Sequence, residues 1–198
     1  MSGPGRTPRV AGLLGAAAGL AALSANAAPV TYQLDPNHTY PSFEADHFGG
    51  LSVWRGKFDS SSGRVVLDRE GHTGTVQVVI DAASIDFGNH ALNEHAKAAD
   101  MFDVAHFPTA TYTGRLAFRG DVPTAVQGSL TLHGVTRPLD LAIRQFKCIV
   151  NPLIKKQVCG ADAEGTFNRA QFGVNAGQAF GFDMTVRLRI QVEGVRVD

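Results

Sequence analysis

The feature that most constrains this chain is an alternation of apolar and polar residues over much of its length. The alternation is clearest near the C-terminus, where the apolar positions are Met184, Val186, Leu188, Ile190 and Val192. The same pattern recurs over 126–133 and 137–146. Successive side chains of a strand point to opposite faces, so each segment predicts a strand with one buried and one solvated face. This pattern is typical of antiparallel sheets.

The number of such segments, eight or nine, predicts the architecture. About eight antiparallel strands must protect their edges, and a closed barrel does so. The interior of an eight-stranded barrel is filled by side chains or holds one small ligand. A two-sheet sandwich is the alternative, and it would have a filled core without a cavity. We therefore predict an all-β fold, with the barrel favoured.

One segment, 81–108, departs from the alternation. Asn89 is a suitable N-cap residue because its side chain can accept a hydrogen bond from the first helical turn. Leu92, His95, Ala96 and Ala99 then follow at helical spacing and define one helix face. The sequence predicts one short helix over about 89–99.

The N-terminal residues 1–27 have the features of a secretory signal peptide. Arg6 and Arg9 precede an uncharged, mostly apolar run of 14 residues, and an A-x-A motif follows. The run is shorter than the ~20 residues that a membrane-spanning helix needs. We predict export with cleavage before Ala28, a single domain over 28–198, and no stable membrane insertion after cleavage.

Cysteine content agrees with an oxidising compartment. Cys148 and Cys159 are the two cysteines of the chain, and exported proteins favour disulfides. A structural disulfide between them would contribute roughly 3 kcal/mol by the loop-entropy relation. The alternative is a redox pair, which more often has C-x-x-C spacing.

Charge and motifs exclude several classes of function. Basic and acidic residues balance at 18 each, which argues against nucleic acid as the partner. The chain has no nucleophile-elbow motif and no metal-site spacing, although His90, Glu94 and His95 are close in sequence. We expect neither an enzyme nor a metal site.

Short motifs in a fixed order identify a family. They are YQLDPNHTYPSFEADH, the Gly56-Lys57-Phe58 segment, SIDFGNHALNEHAKAADMFDVAHFPTATY, GSLTLHGVTRPLDL and TFNRAQFGV. Over essentially the whole of 28–198 the chain resembles the YceI-like family of polyisoprenoid-binding proteins. The resemblance implies a lipocalin-like barrel with a helix near one end, a periplasmic location and a polyisoprenoid or fatty acyl chain held inside as the ligand.

Candidate ligand-binding residues follow from this interpretation. The residues expected to line the ligand tail are Phe43, Trp54, Phe58, Phe87, Leu92, Met101, Phe102, Phe167 and Phe172. The candidates for the polar head are His47, His95, Asn168 and Arg169. Each has a structural alternative: the aromatic residues as a filled core, the histidines as satisfied core groups, and the Asn-Arg pair as a turn at the barrel rim.

Three functions are compatible with the sequence. The favoured one is an exported lipid-binding protein that sequesters or transports one amphiphile, with no other cofactor. A second is an enzyme acting on a small isoprenoid or quinone with His47 as acid or base. The third is a filled barrel that binds other proteins. Exposed barrel edges also leave a homodimer open.

Overall fold

The computed structural model describes residues 28–197 together with Met1 and Gly3. The predicted signal peptide over 1–27 and its cleavage site therefore fall almost entirely outside the described residues. The strand segments of the described chain are β1 Val30–Leu34, β2 Tyr40–His47, β3 Ser52–Phe58, β4 Ser61–Asp68, β5 Thr73–Asp81, β6 Ile85–Asp86, β7 Thr109–Arg119, β8 Val122–Leu132, β9 Val135–Pro138, β10 Leu141–Val150, β11 Gln157–Asn168 and β12 Thr185–Arg196. One α-helix, α1, spans His90–Lys97.

These segments combine into eight long strands. β1 and β2 pair with successive parts of β12, so they form one interrupted strand. β3 and β4 likewise form one interrupted strand, because they pair with β2 and β1 on one side and with β6 and β5 on the other. β5 and β6 therefore form the next interrupted strand. β9 and β10 form a fourth, because both pair with β8. All pairings are antiparallel, and neighbours in sequence are neighbours in space.

The ring closes where the first strand meets the last. Tyr32 lies opposite Arg196 and Leu34 opposite Gly194 in the β1–β12 pairing. A closed up-and-down barrel leaves no open edge between its first and last strands. This closure confirms the predicted lipocalin-like antiparallel barrel and excludes the two-sheet sandwich.

The predicted helix is present and slightly shorter than expected. Asn89 caps it, since the Asn89 side chain accepts a hydrogen bond from the Leu92 amide. The helix begins at His90 and ends at Lys97, so Ala99 lies beyond it. It lies at the barrel end that also holds the β2–β3 turn and the segment 169–184.

The opposite barrel end carries the disulfide. Cys148 and Cys159 face each other across the β10–β11 pair and are bonded, which confirms the predicted bridge. Within residues 28–197, no helix has the length and apolarity needed to cross a membrane.

Gly63 on β4 has no room for a side chain against the backbone of β5. A Cβ at Gly63 would overlap the carbonyl oxygen of Gln77, a backbone atom that cannot rotate away. We expect Gly63→Ala to lower the free energy of unfolding by about 2 kcal/mol. The measurement is urea denaturation followed by circular dichroism, read at unchanged m-value.

Gly160→Ala is the matched control for that substitution. Gly160 is also a strand glycine, but a Cβ there meets its nearest atoms at 3.6 Å, which is ordinary contact. The control variant should unfold within about 0.5 kcal/mol of the wild type. Equal losses in the two variants would contradict the assigned role of Gly63.

Candidate functional site

The barrel encloses a cavity of about 550 Å³. This volume lies in the range of small-molecule sites, roughly 300–1,000 Å³. The space exists because small residues line the barrel wall, among them Ala110 at the start of β7 and Ala161 and Ala163 near the middle of β11. The interior is therefore not filled, contrary to the third sequence-based alternative.

The cavity opens at the helix end of the barrel. The lining residues His95, Asp100 and Phe180 are exposed to solvent, and all three lie at that end. At the disulfide end, by contrast, the lining residues Tyr32 and Cys159 are buried. We call the helix-end opening the mouth and the disulfide end the base.

A wall of aromatic rings runs inward from the mouth. The Phe43 ring lies 5.5 Å from that of Phe87 and 5.8 Å from that of Phe58, measured between centroids. Trp54 extends the wall on one side through Phe87, and Phe102 extends it on the other through Phe58. The Phe43–Phe58 contact is tilted and the other three are edge-to-face, and such contacts fix the rings in place beside the space for an apolar ligand.

Hydroxyl groups on the deep wall are bonded within the protein. The Tyr112 hydroxyl donates to the Leu139 carbonyl at 2.9 Å, and burial raises the pKa of this phenol. The Tyr32 hydroxyl donates to the Gln157 side chain at 2.7 Å, and the Thr39 hydroxyl to the Glu193 carbonyl at 3.2 Å. A ligand that enters this depth therefore meets a largely hydrocarbon surface.

Most of the predicted tail-lining residues lie on the cavity wall. Those residues are Phe43, Trp54, Phe58, Phe87, Leu92, Met101, Phe102 and Phe167. Phe172 does not line the cavity: it is 1% exposed and packs edge-on against Phe167. The chain leaves β11 as a 3₁₀ turn at Arg169–Phe172, which carries Phe172 out of the strand alternation into the core.

His47 lies on the cavity wall near the mouth, as its shared strand face with Phe43 predicts. Its ring is surrounded by those of Phe48, Trp54 and Phe182, at centroid distances of 4.6, 5.3 and 5.2 Å. The ring nitrogens form no hydrogen bond within residues 28–197. His95, the other histidine candidate, is exposed at the mouth on α1.

Asn168 and Arg169, both predicted to bind the ligand head, have different roles in the structure. The Asn168 side chain accepts a hydrogen bond from the Ala170 amide and caps the 3₁₀ turn, so it does not face the cavity. Arg169 does line the cavity, although it is only 9% exposed. Its guanidinium donates to the carbonyls of Val174 at 2.9 Å and Ala176 at 2.7 Å.

Arg169 has no carboxylate partner among the described residues. Burial accordingly lowers the pKa of its guanidinium, since desolvation disfavours the charged form. The side chain holds the segment 174–176 in place and leaves an uncompensated positive charge at the cavity wall. A ligand with an anionic or strongly accepting head would meet that charge.

Asp46 joins two mouth segments, which the sequence pattern did not indicate. Its carboxylate accepts hydrogen bonds from the amides of Gly49 at 2.8 Å, Gly50 at 2.6 Å and Asp183 at 2.9 Å. These bonds, the one from Asp183 first, lower the pKa of Asp46. Gly49 and Gly50 adopt positive φ and form the β2–β3 turn. The Asp-x-x-Gly-Gly spacing was the available signal for this turn.

Removal of this carboxylate should loosen the mouth. We expect Asp46→Ala to speed amide exchange at Gly49, Gly50 and Asp183 at neutral pH, with strand amides of β11 unchanged as the internal control. Because the pKa of Asp46 in the folded protein is below its ordinary value of 3.8, the carboxylate stays charged and keeps these bonds at every pH above 3.8. The bonds are lost as the pH falls through the pKa of the folded state. Wild-type protection, corrected for intrinsic exchange, should therefore hold from neutral pH to about pH 5. Loss of protection already near pH 6 would contradict this assignment.

The closed barrel and its one-ended apolar cavity define a lipocalin-like cavity barrel. A family model for the YceI-like domain matches residues 32–194, which is nearly the whole described chain. The chain belongs to the YceI-like family. The sequence resemblance is thereby confirmed.

Curated relatives agree with this assignment. The YceI protein of Salmonella arizonae is 30% identical over 176 residues, which cover 87% of this chain and 90% of that protein. A UPF0312 protein of Vibrio vulnificus is 34% identical over 121 residues, or 60% of this chain. That match spans 64% of the Vibrio protein.

Solved structures share the fold. Burkholderia cenocepacia BcnA superposes with a TM-score of 0.64 at 22% identity, covering 81% of this chain and 98% of BcnA. A structure described as a polyisoprenoid binding domain from Saccharophagus degradans has a TM-score of 0.62 at 19% identity, covering 85% and 99% of the two chains. At these identities the likeness establishes the barrel architecture alone.

Proposed function

We propose that this protein binds one long-chain amphiphile, of polyisoprenoid or fatty acyl type, with its tail inside the barrel and its head at the mouth. One observation carries the proposal: every Asp, His and Arg on the cavity wall lies at the mouth end. These residues are Asp46, His47, His95, Asp100 and Arg169. A hydrocarbon interior with a polar entrance matches the polarity of an amphiphile along its length.

Tail burial supplies enough free energy for binding. Each buried methylene contributes about 0.8 kcal/mol, so ten methylenes contribute about 8 kcal/mol. Association costs at least about 4 kcal/mol in lost freedom. A long chain therefore binds with useful affinity through the tail alone, and polar contacts at the mouth select and orient the head.

Besides the carboxylates of Asp46 and Asp100, the mouth provides hydrogen-bond donors for a ligand head. Arg169 carries a buried positive charge, and the His47 ring has nitrogens free of protein hydrogen bonds. Together with His95 they favour a phosphate, carboxylate or amide head over a head with only donor groups. We infer no binding role for Asn168 or Phe172, because neither faces the cavity.

Location and physiological role are part of the same proposal. The features of residues 1–27 favour export to the periplasm, where an insoluble lipid needs a carrier or a store. The polyisoprenoid-binding description of the Saccharophagus neighbour supports an isoprenoid ligand by analogy of fold. The enzyme alternative has no specific support, since the His47 ring packs against aromatic rings and has no hydrogen-bonded carboxylate among the described residues. A homodimer stays a prediction.

Trp54 provides a direct test, because it is the single tryptophan of the chain and lies on the cavity wall. Titration with undecaprenyl phosphate or palmitic acid should shift Trp54 emission to shorter wavelength and saturate at one ligand per protein. Trp54→Phe removes the signal and is the control for lipid scattering. Absence of a saturable change with both lipids would overturn the proposal.

A further inference from the structure

The tip of the β10–β11 hairpin, residues 149–156, presents apolar side chains to water. Ile149 is 46% exposed, Val150 68%, Leu153 87% and Ile154 51%. None of these residues lines the cavity. They lie together at the base of the barrel and project beyond the last β11–β12 pair, Val158 with Val195. A cluster of this kind on one turn marks an interaction surface rather than scattered surface residues.

The hairpin tip is held in one conformation. The Asn151 side chain accepts hydrogen bonds from the amides of Leu153 at 2.9 Å and Ile154 at 3.3 Å. The Asn151 amide donates to the Lys156 carbonyl at 2.8 Å, and the Lys155 amide donates to the Asn151 carbonyl at 2.9 Å. The disulfide closes the hairpin below these bonds. Because the turn is already ordered, docking through it costs little conformational entropy.

Lysines flank the apolar residues along the hairpin. Lys147, Lys155 and Lys156 are exposed, and none of them forms an ion pair within the described part of the chain. Residues 145–161 contain no aspartate or glutamate. Apolar side chains flanked by lysines complement a surface that is anionic outside and apolar beneath, which is the character of a bilayer containing acidic phospholipids.

The mouth, by contrast, carries charges of both signs. Leu51 and Phe180 are also exposed there, at 75% and 72%. Their surroundings, however, carry the carboxylates of Asp46, Asp100 and Asp183. Residues 145–161 carry lysines and no carboxylate, so an anionic bilayer is matched better by the hairpin tip than by the mouth.

We propose that the hairpin tip docks the protein on a bilayer that contains anionic phospholipid. Leu153 and Ile154 enter the headgroup region, and the three lysines contact lipid phosphates. Docking at the base turns the mouth away from the bilayer and leaves it open to solvent. This inference does not rest on the cavity ligand, because the two surfaces lie at opposite ends of the barrel.

A tryptophan placed on the tip tests the proposal. Leu153→Trp is made in a Trp54→Phe background of the full chain, so that all emission comes from position 153. Vesicles of phosphatidylcholine with phosphatidylglycerol should shift the emission to shorter wavelength, and vesicles of pure phosphatidylcholine should not. Replacing Lys147, Lys155 and Lys156 with glutamine should weaken vesicle binding about 100-fold, since each lysine near an anionic surface contributes a factor of several.

Leu51→Trp in the same background is the matched control, because Leu51 is also largely exposed, at 75%, but lies at the mouth. Its emission should not change with either vesicle. The proposal would be overturned by the absence of a shift at position 153 or by an equal shift at position 51. It would also be overturned if the lysine substitutions left vesicle binding unchanged, and that result would assign the membrane contact to residues 1–27. A shift at position 153 that grows with protein concentration without vesicles would also overturn it and assign the tip to contact with a second copy.

Discussion

Replacement of Ala163 with phenylalanine is expected to weaken ligand binding about 100-fold or more while leaving the barrel folded. Ala163 points into the cavity from the middle of β11, opposite Ile143 on β10 and Ile190 on β12. A ring at this position occupies the space of about four methylenes of the ligand tail, worth about 3 kcal/mol. The affinity should therefore fall about 100-fold or more, as measured by the Trp54 titration.

The control for this variant is Ala142→Phe on the neighbouring strand. Ala142 lies opposite Glu164, whose side chain pairs with Arg144 on the outer surface, and it does not line the cavity. Its substitution adds the same ring outside the barrel and should leave affinity unchanged. Ala163→Leu should give an intermediate loss. Wild-type affinity in Ala163→Phe, with the variant folded by circular dichroism, would show that the ligand does not use this cavity.

Loss of the disulfide is expected to have the largest effect on stability. Cys148 and Cys159 are 11 residues apart, and closing a loop of this length stabilises the fold by about 3 kcal/mol through the unfolded chain. The double variant Cys148→Ala, Cys159→Ala should lose that amount in urea denaturation. Wild-type protein treated with a reductant should match the variant.

Cys159 adds a second contribution, because it is buried beside Tyr32 and Leu67 in the core at the base. Cys159→Ser should therefore cost more than Cys148→Ser once both proteins are compared in the reduced state. Coincident denaturation curves for oxidised and reduced wild type would contradict the stabilising role of the bridge.

The sequence predicted those parts of the fold that depend on local periodicity. The alternation over 184–192 correctly assigned Val186 and Leu188 to the interior and Arg187 to the surface. Asn89 correctly marked the helix start, since a capping residue acts within its own turn. Between the alternating stretches 126–133 and 137–146, only His133 and Gly134 form a turn, and the short strand β9, which the alternation did not indicate, follows at once.

The parts that the sequence did not predict depend on distant residues. Whether a barrel is hollow depends on which small residues face one another across it, and the neighbours of Ala163 come from two other strands. The hydrogen bond between Asp46 and Asp183 joins residues 137 positions apart. The prediction that Phe172 lines the cavity was wrong, because Asn168 caps a 3₁₀ turn that takes the chain out of β11 before Phe172. The pattern of apolar residues does not indicate this turn.

The central claim is that the cavity holds one amphiphile, and native mass spectrometry of the purified protein tests it most directly. Wild-type protein should carry the mass of one lipid, and organic extraction should release a single long-chain species. Ala163→Phe, purified in parallel, should give the bare polypeptide mass. The account would be contradicted if both proteins were bare and the wild type took up neither undecaprenyl phosphate nor palmitic acid when these were added.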